Sequence, residues 1–143
     1  MTNIIIGGLI EKNGKFLLVQ QAKKRIKGKW SFPVGHLESN ENIFQCGIRE
    51  IKEETGFDVK LTGIVQIDNG NVLNENILSI FFSTEIINEN LKYNKKEILD
   101  VKWFTYDELL NMKNELRSYD LMIKCVSNFK NNIIADINIV NLV

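Results

Sequence analysis

Apolar residues crowd two early stretches of the chain, "NIIIGGLIE" at 3–11 and "KFLLVQQ" at 15–21, with Lys12-Asn13-Gly14 between them. β-rich runs on either side of an Asn-Gly pair predict a hairpin that opens the fold. The next twenty residues lose this patterning. "AKKRIKGKW" is basic, and the single proline, Pro33, follows it, so residues 22–42 are expected to form a loop with at most short pieces of strand. Loops of that length usually carry function. Strand composition returns in "VKLTGIVQID" at 59–68, "NILSIFFSTEI" at 76–86 and "ILDVKWF" at 98–104.

Three segments have helical periodicity. Residues Ile43 to Thr55 follow Asn42 and Gln45, which stand at capping-box spacing, and precede Gly56, where a helix C-terminal glycine belongs. At about 100° per residue, Phe44, Gly47, Ile48, Ile51 and Thr55 fall on one stripe, expected to pack inward. A second helix should start at Thr105, which has Glu108 three residues on. A third should cover "SYDLMIKCVSNFK", where Leu121, Met122, Cys125, Val126 and Phe129 are helically spaced. The apolar tail "NIIADINIVNLV" is expected either to bury within its own chain or to serve as a strand between two copies.

Composition narrows the class. The 143 residues are 44% hydrophobic and 25% charged, a balance expected of one compact domain able to bury a core. Lysine plus arginine equals aspartate plus glutamate at 18 each, so the net charge is zero and there is no broad cationic field for nucleic acid or an anionic membrane. The longest apolar runs fall short of a membrane span, and the N-terminus lacks signal-peptide character, so a cytoplasmic location is expected. Cys46 and Cys125 have no cysteine neighbours at metal-ligand spacing and read as small, reduced, apolar residues.

Within this neutral chain, negative charge is concentrated in one place. Glu50, Glu53 and Glu54 share a helix face distinct from the apolar stripe, with no lysine at i+4 to relieve them. A solvated acidic face would cost only about 0.2–0.5 kcal/mol per exposed like-charge pair, so repulsion alone does not exclude that reading. The wider spacing favours a constellation: Gly35, five residues, Glu41, seven residues, Arg49-Glu50-Ile51, one residue, Glu53-Glu54, one residue, Gly56 and then apolar Phe57.

Residues 35–57 resemble a complete Nudix box, the signature of the Nudix (MutT-like) hydrolases, with every fixed position matched. The preceding hairpin, "KWSFPVG", and the following "EILDVKWFTYDEL" also resemble that family, and "GHLE" with "LRSYDLMIKCVSNF" is similar to NudJ-type Nudix phosphatases. The resemblance implies an α/β fold, an α/β/α sandwich with a mixed β-sheet, in a single domain over residues 1–143. It implies Mg²⁺-dependent hydrolysis, with Mn²⁺ as a substitute, of a small phosphoanhydride such as a nucleoside di- or triphosphate or a nucleoside diphosphate linked to a second group. A thiamin-type pyrophosphate phosphatase and a catalytically silent ligand-binding module are the alternatives. Several carboxylates on one face suit Mg²⁺, which takes oxygen ligands and retains waters.

By the same resemblance, the Gly35 carbonyl, Glu50, Glu53 and Glu54 are expected to bind metal. Arg49 is expected to position the box, and Glu97 to serve as a further ligand or general base. Glu41 either holds the loop or reaches metal through water. Lys23, Lys24, Arg25, Lys27 and Lys29 supply cations next to the box, of which one or two are expected to meet substrate phosphates. Trp30 or Phe82 is expected to stack on a heterocycle, whereas Trp103 is assigned to the core and Phe32 and Phe81 are open to either role. His36, the only histidine, lacks the partners of a triad or histidine metal site and is expected to pack or hydrogen-bond locally. No nucleic acid or membrane partner is expected, and the protein should be a monomer or homodimer.

Overall fold

The computed structural model describes residues 2–143. In chain order it contains β1 (Thr2–Leu9), β2 (Glu11–Lys12), β3 (Lys15–Gln21), β4 (Trp30–Ser31), β5 (Val34–His36), α1 (Ile43–Thr55), β6 (Phe57–Val72), β7 (Glu75–Glu89), β8 (Ile98–Thr105), α2 (Tyr106–Leu110), α3 (Tyr119–Lys130) and β9 (Ala135–Asp136). A five-stranded sheet runs β5-β1-β7-β6-β9, in which β1 and β7 are parallel and the other pairs antiparallel. A second, four-stranded sheet is centred on β3, with β8 along one edge and β2 and β4 sharing the other.

The expected opening hairpin therefore needs correction. Asn13 and Gly14 form its two-residue turn with positive φ at both, but only Glu11 and Lys12 pair across it to β3. The chain breaks at Ile10, and β1 crosses to the other sheet, where its apolar residues lie against β7 rather than β3. The strands β6 and β7 are longer than their apolar cores suggested. They continue through polar residues to a turn at Leu73-Asn74, again with φ positive at both positions, because backbone pairing persists to Val72 and Glu75.

Side-chain alternation along the strands divides the interior into two layers. Leu17, Val19 and Phe82 join Cys46 and Ile51 of α1 on one side. Phe16, Leu18 and Phe81 join Leu109 of α2 and Met122, Cys125 and Val126 of α3 on the other. This is the expected α/β/α sandwich, built on two sheets rather than one. The tail stays within its own chain: Ala135 and Asp136 pair with Ile64 and Gly63 of β6, and Ile137 and Val140 pack on the α1-side core. Among the described residues, no helix is long and apolar enough to cross a membrane.

Candidate active site

The helix that carries the acidic residues is fixed at both ends. Asn42 Oδ1 accepts from the Gln45 N–H and Gln45 Oε1 accepts from the Asn42 N–H, each at 2.9 Å, which completes the capping box. At the other end Gly56 takes φ 82°, and its N–H donates to the Lys52 carbonyl. A side chain on Gly56 would strike the Asn90 carbonyl and the Lys92 N–H, whose bond to the Thr55 carbonyl closes the helix end at 2.9 Å. The helix is therefore held in rotation as well as position.

That rotation differs from the expected one. Ile51, Gly47 and Thr55 are buried and Phe44 packs on Phe82, but Ile48 is 42% exposed and Cys46 is fully buried. The buried arc is centred nearer to Gly47 than to Ile48, so Glu54, at about 100° per residue, falls within it and Glu50 on its border. The carboxylates are thus not a single outward face: Glu53 alone remains open, with its side chain 53% exposed against 13% for Glu50. A strict apolar stripe in the sequence hides this, because two glutamates lie inside the packing surface.

Two neighbours explain how they are tolerated. Gly35 on β5 approaches so closely that a Cβ there would overlap the Glu50 carboxyl group. The Val34 N–H donates to Glu54 Oε1 at 3.0 Å. Burial raises the pKa of both acids, of Glu54 to about 8, with Glu50 and Glu97 adding repulsion and Val34 and Lys23 opposing it. Two desolvated carboxyls therefore face the same short strand, Glu50 partly compensated by Arg49 and Glu54 by the Val34 N–H alone.

Arg49 gathers the remaining acids. Its Nη2 and Nε donate to the two oxygens of Glu41 at 2.6 and 2.9 Å, its Nη1 to Glu50 at 2.7 Å and, more loosely, to Glu53 at 3.3 Å, and its Nη2 to the His36 carbonyl at 3.3 Å. The fork geometry matches this bidentate use of Glu41. The paired Arg49 holds the Glu41 carboxyl at about pKa 2, and Glu41 also accepts from the Glu38 N–H, tying the loop to the helix. Of the two readings of Glu41, its contacts are those of a loop anchor. His36 is exposed on β5, and Cys46 Sγ donates to its carbonyl.

As they stand, no three His, Cys, Asp or Glu side chains among the described residues are gathered into a cation cage. The donor set nevertheless fits a hard, partly hydrated ion: carboxylate oxygens, a glycine backbone that admits Glu50, and a loosely held Glu53 free to turn inward.

Around this cleft the chain is cross-braced. The Ala22 N–H donates to the Glu97 carbonyl, Lys29 Nζ donates to the Asn114 carbonyl, the Trp30 N–H donates to the Glu115 carbonyl, and the Arg117 N–H donates to the Trp30 carbonyl. Lys23 and Arg25 sit on the tight turn between these ties, and Lys23 acts electrostatically on Glu54, as does Glu97 from the facing loop. Lys24 and Lys27 are exposed, with no hydrogen bond or ion pair to the acids. Lys29 is engaged as a strut.

The aromatic expectations change more. Phe82 is fully buried between α1 and the sheet, in edge contact with Phe44, and is withdrawn from substrate contact. Trp30 is 8% exposed and packs edge-on against Phe104, with Lys102 over its ring, so it too belongs to the core. The strand of Phe82 carries apolar residues on both faces and that of Trp30 is only two residues long, so composition alone gave no direction for either ring. Phe32, Phe81 and Trp103 also pack in the interior. Conversely, sequence reasoning gave no place to Arg117, whose backbone the parallel bridge between Trp30 and Leu116 brings beside β4.

Comparison with known proteins agrees with this architecture. The NUDIX domain model matches residues 2–125. Nudix hydrolase 5 from Arabidopsis thaliana is 27% identical over 84% of the chain, which spans 41% of that protein. The ADP-ribose pyrophosphatase of Methanocaldococcus jannaschii is 28% identical over 90% of the chain and 75% of its own length. A NUDIX hydrolase structure from Nitrosomonas europaea superposes with a TM-score of 0.90 at 24% identity, covering 100% of this chain and 98% of its own. The domain match spans most of the sequence, and the chain belongs to the Nudix hydrolase family.

Proposed function

We propose that the protein hydrolyses a small phosphoanhydride, a nucleoside di- or triphosphate or a nucleoside diphosphate joined to a second group, using Mg²⁺ held by Glu50, Glu53, Glu54 and the Gly35 carbonyl. The observation that carries this reading is the pair of desolvated carboxyls, Glu50 against Gly35 and Glu54 on the Val34 N–H. Leaving two such acids partly buried without a cation is unfavourable for the fold and useful for a metal. The chemistry that bound Mg²⁺ supplies is neutralisation of phosphate oxygens and activation of water.

The protein's own residues do the rest. Arg49 fixes the spacing of the acids through Glu41, Glu50 and Glu53. The Val34 N–H orients one oxygen of Glu54, and the other makes no hydrogen bond among the described residues. Glu97, exposed on the opposite loop and acting electrostatically on Glu54, would receive a proton from attacking water or serve as a further ligand. Lys23 and Arg25 meet phosphate charge from the rim. The densest basic stretch, Lys23 to Lys29, leads into the site in a chain of zero net charge, which suits a compact ligand better than a polymer backbone.

The test is a panel of nucleoside triphosphates, nucleotide sugars, dinucleoside polyphosphates and thiamin diphosphate, with Mg²⁺ and with chelator, run in ¹⁸O-water. Metal-dependent turnover with label in a phosphate product is expected. No turnover on any small anhydride, or turnover indifferent to chelator, would overturn the reading.

A further inference from the structure

We infer that residues 133–140 form a strap that positions the acidic helix: it fastens the irregular middle of β6, on which α1 lies, and so steadies the ion site that the proposed function places on that helix. The strand needs such a hold. Its register against β7 shifts between Leu61 and Gly63 and again between Ile64 and Gln66. A bulge leaves a residue unpaired and bends the strand, which loosens the ladder locally. α1 rests on this same stretch. It leads into β6 through Gly56, the Leu61 side chain packs over Gly47, 3.5 Å from where a Cβ would stand, and Leu61 and Ile64 share a core cluster with Cys46 and Ile51.

The tail meets β6 between the two irregularities. Asn128 of α3 first ties the strand from one layer, its Nδ2 donating to the Val65 carbonyl and to Gln66 Oε1, each at 3.2 Å. The chain then turns: the Ile133 N–H donates back to the Asn128 carbonyl at 2.8 Å, and Asn132 takes φ 57°. Ala135 and Asp136 pair with Ile64 and Gly63 along the edge of the sheet. Asp136 Oδ1 accepts from the Asn138 N–H at 2.9 Å, opening a 3₁₀ turn after which Ile137 and Val140 pack into the α1-side core. The segment thus passes from the α3 layer, round the edge of the sheet, to the α1 layer. Gly63 makes room for it. Its φ is not positive, so its missing side chain serves space rather than backbone freedom: a Cβ there would strike the Ile134 side chain and the Ala135 carbonyl.

The seating of α1 matters because Glu50 meets Gly35 and Glu54 meets the Val34 N–H across the packing surface of the helix. Without the strap, β6 gives at its irregularities and α1 moves with it, which misaligns the acids while the chain stays folded. Gly63, Ile137 and Val140 are therefore positioning residues, acting on the ion only through the helix. Residues that act through such a chain of packed elements change a ligand's affinity by about three- to tenfold.

The experiment compares wild-type protein with Gly63→Val, which blocks the seat of Ile134, and with the double variant Ile137→Ala, Val140→Ala, which inserts nothing into the strand and keeps the test open if valine at 63 prevents folding. Ile139→Ala, on the same turn but 73% exposed, is the control and should match wild type. The readouts are titration of Mg²⁺ into metal-free protein and hydrogen exchange of the backbone amides. Both strap variants should bind Mg²⁺ about three- to tenfold more weakly. The amides of α1 should exchange about tenfold faster while those of β3 and β8 keep wild-type rates. In turnover, kcat should fall with KM changed less than about twofold. A lowered thermal midpoint with wild-type Mg²⁺ affinity and wild-type exchange in α1 would make the segment a support of the fold alone and overturn the inference. If wild-type protein binds no Mg²⁺, the proposed function fails, whereas exchange in α1 still decides whether the strap seats the helix.

Discussion

Removing Arg49 should unfasten the site and weaken the fold together. Its guanidinium makes the bidentate contact to Glu41 and a 2.7 Å contact to Glu50, and the side chains of Arg49, Glu41 and Glu50 are 25%, 9% and 13% exposed. Arg49→Ala leaves two poorly hydrated carboxylates without their common partner. Breaking such a pair inside a protein costs about 3–5 kcal/mol, and exposed pairs are worth about 1 kcal/mol or less, so a quarter-exposed arginine should lie between, at roughly 2–3 kcal/mol. For a chain of this size that corresponds to a fall in the thermal midpoint of roughly 8–12 °C. Urea unfolding of Arg49→Ala, Glu41→Ala and the double variant gives the coupling, expected at about 1.5 kcal/mol or more, because each single change removes the same contact. The acid limb should respond as well. Glu41, held at about pKa 2 in the folded protein, contributes stability that is present above the ordinary carboxylate pKa and is lost as pH falls toward 2. In Arg49→Ala that loss should be shallower. An Arg49→Ala midpoint within about 2 °C of wild type, with additive single changes, would refute the role assigned to Arg49.

Gly35→Ala places a methyl group on the Glu50 carboxyl, and displacing that group should lower kcat/KM about a hundredfold in a phosphate-release assay, with a smaller change in thermal midpoint. Without metal, Glu54, with its pKa raised to about 8, favours the folded state when protonated, so stability should decline as pH rises from about 4.5 to 8. Mg²⁺ should therefore raise the thermal midpoint more at pH 8.5 than at pH 5.5, as scanning calorimetry can show; equal increments would contradict the linkage. Phe82→Ala should cost about 3–5 kcal/mol in urea unfolding and leave KM of the folded protein unchanged, since the ring is core and not a stacking surface.

The site was most legible where local chemistry dictated it. Asn42, Gln45 and Gly56 bound α1 at both predicted ends, since caps are read from a few adjacent residues. What the spacing could not give was the helix's rotation against the sheet. Burial of Glu54 and exposure of Ile48 depend on the approach of Gly35 and Val34 from β5, a contact across the fold. The same limit applies to Ile10, where the chain leaves one sheet for the other, and to Phe82, whose strand is apolar on both faces. Arg117 lies in the stretch "LRSYDLMIKCVSNF", but its spacing did not show that the Leu116 to Trp30 bridge sets its backbone beside β4.

The central claim is that the acidic helix face holds the ion on which hydrolysis depends, and titration of Mg²⁺ into metal-free wild-type and Glu54→Gln protein tests it most directly, with turnover measured on the same samples. Glutamine keeps the size of the side chain and an oxygen for the Val34 N–H but removes the charge. The account predicts that Mg²⁺ affinity and kcat both fall at least tenfold while the thermal midpoint of the metal-free protein holds or rises. Wild-type affinity and turnover in Glu54→Gln would contradict it.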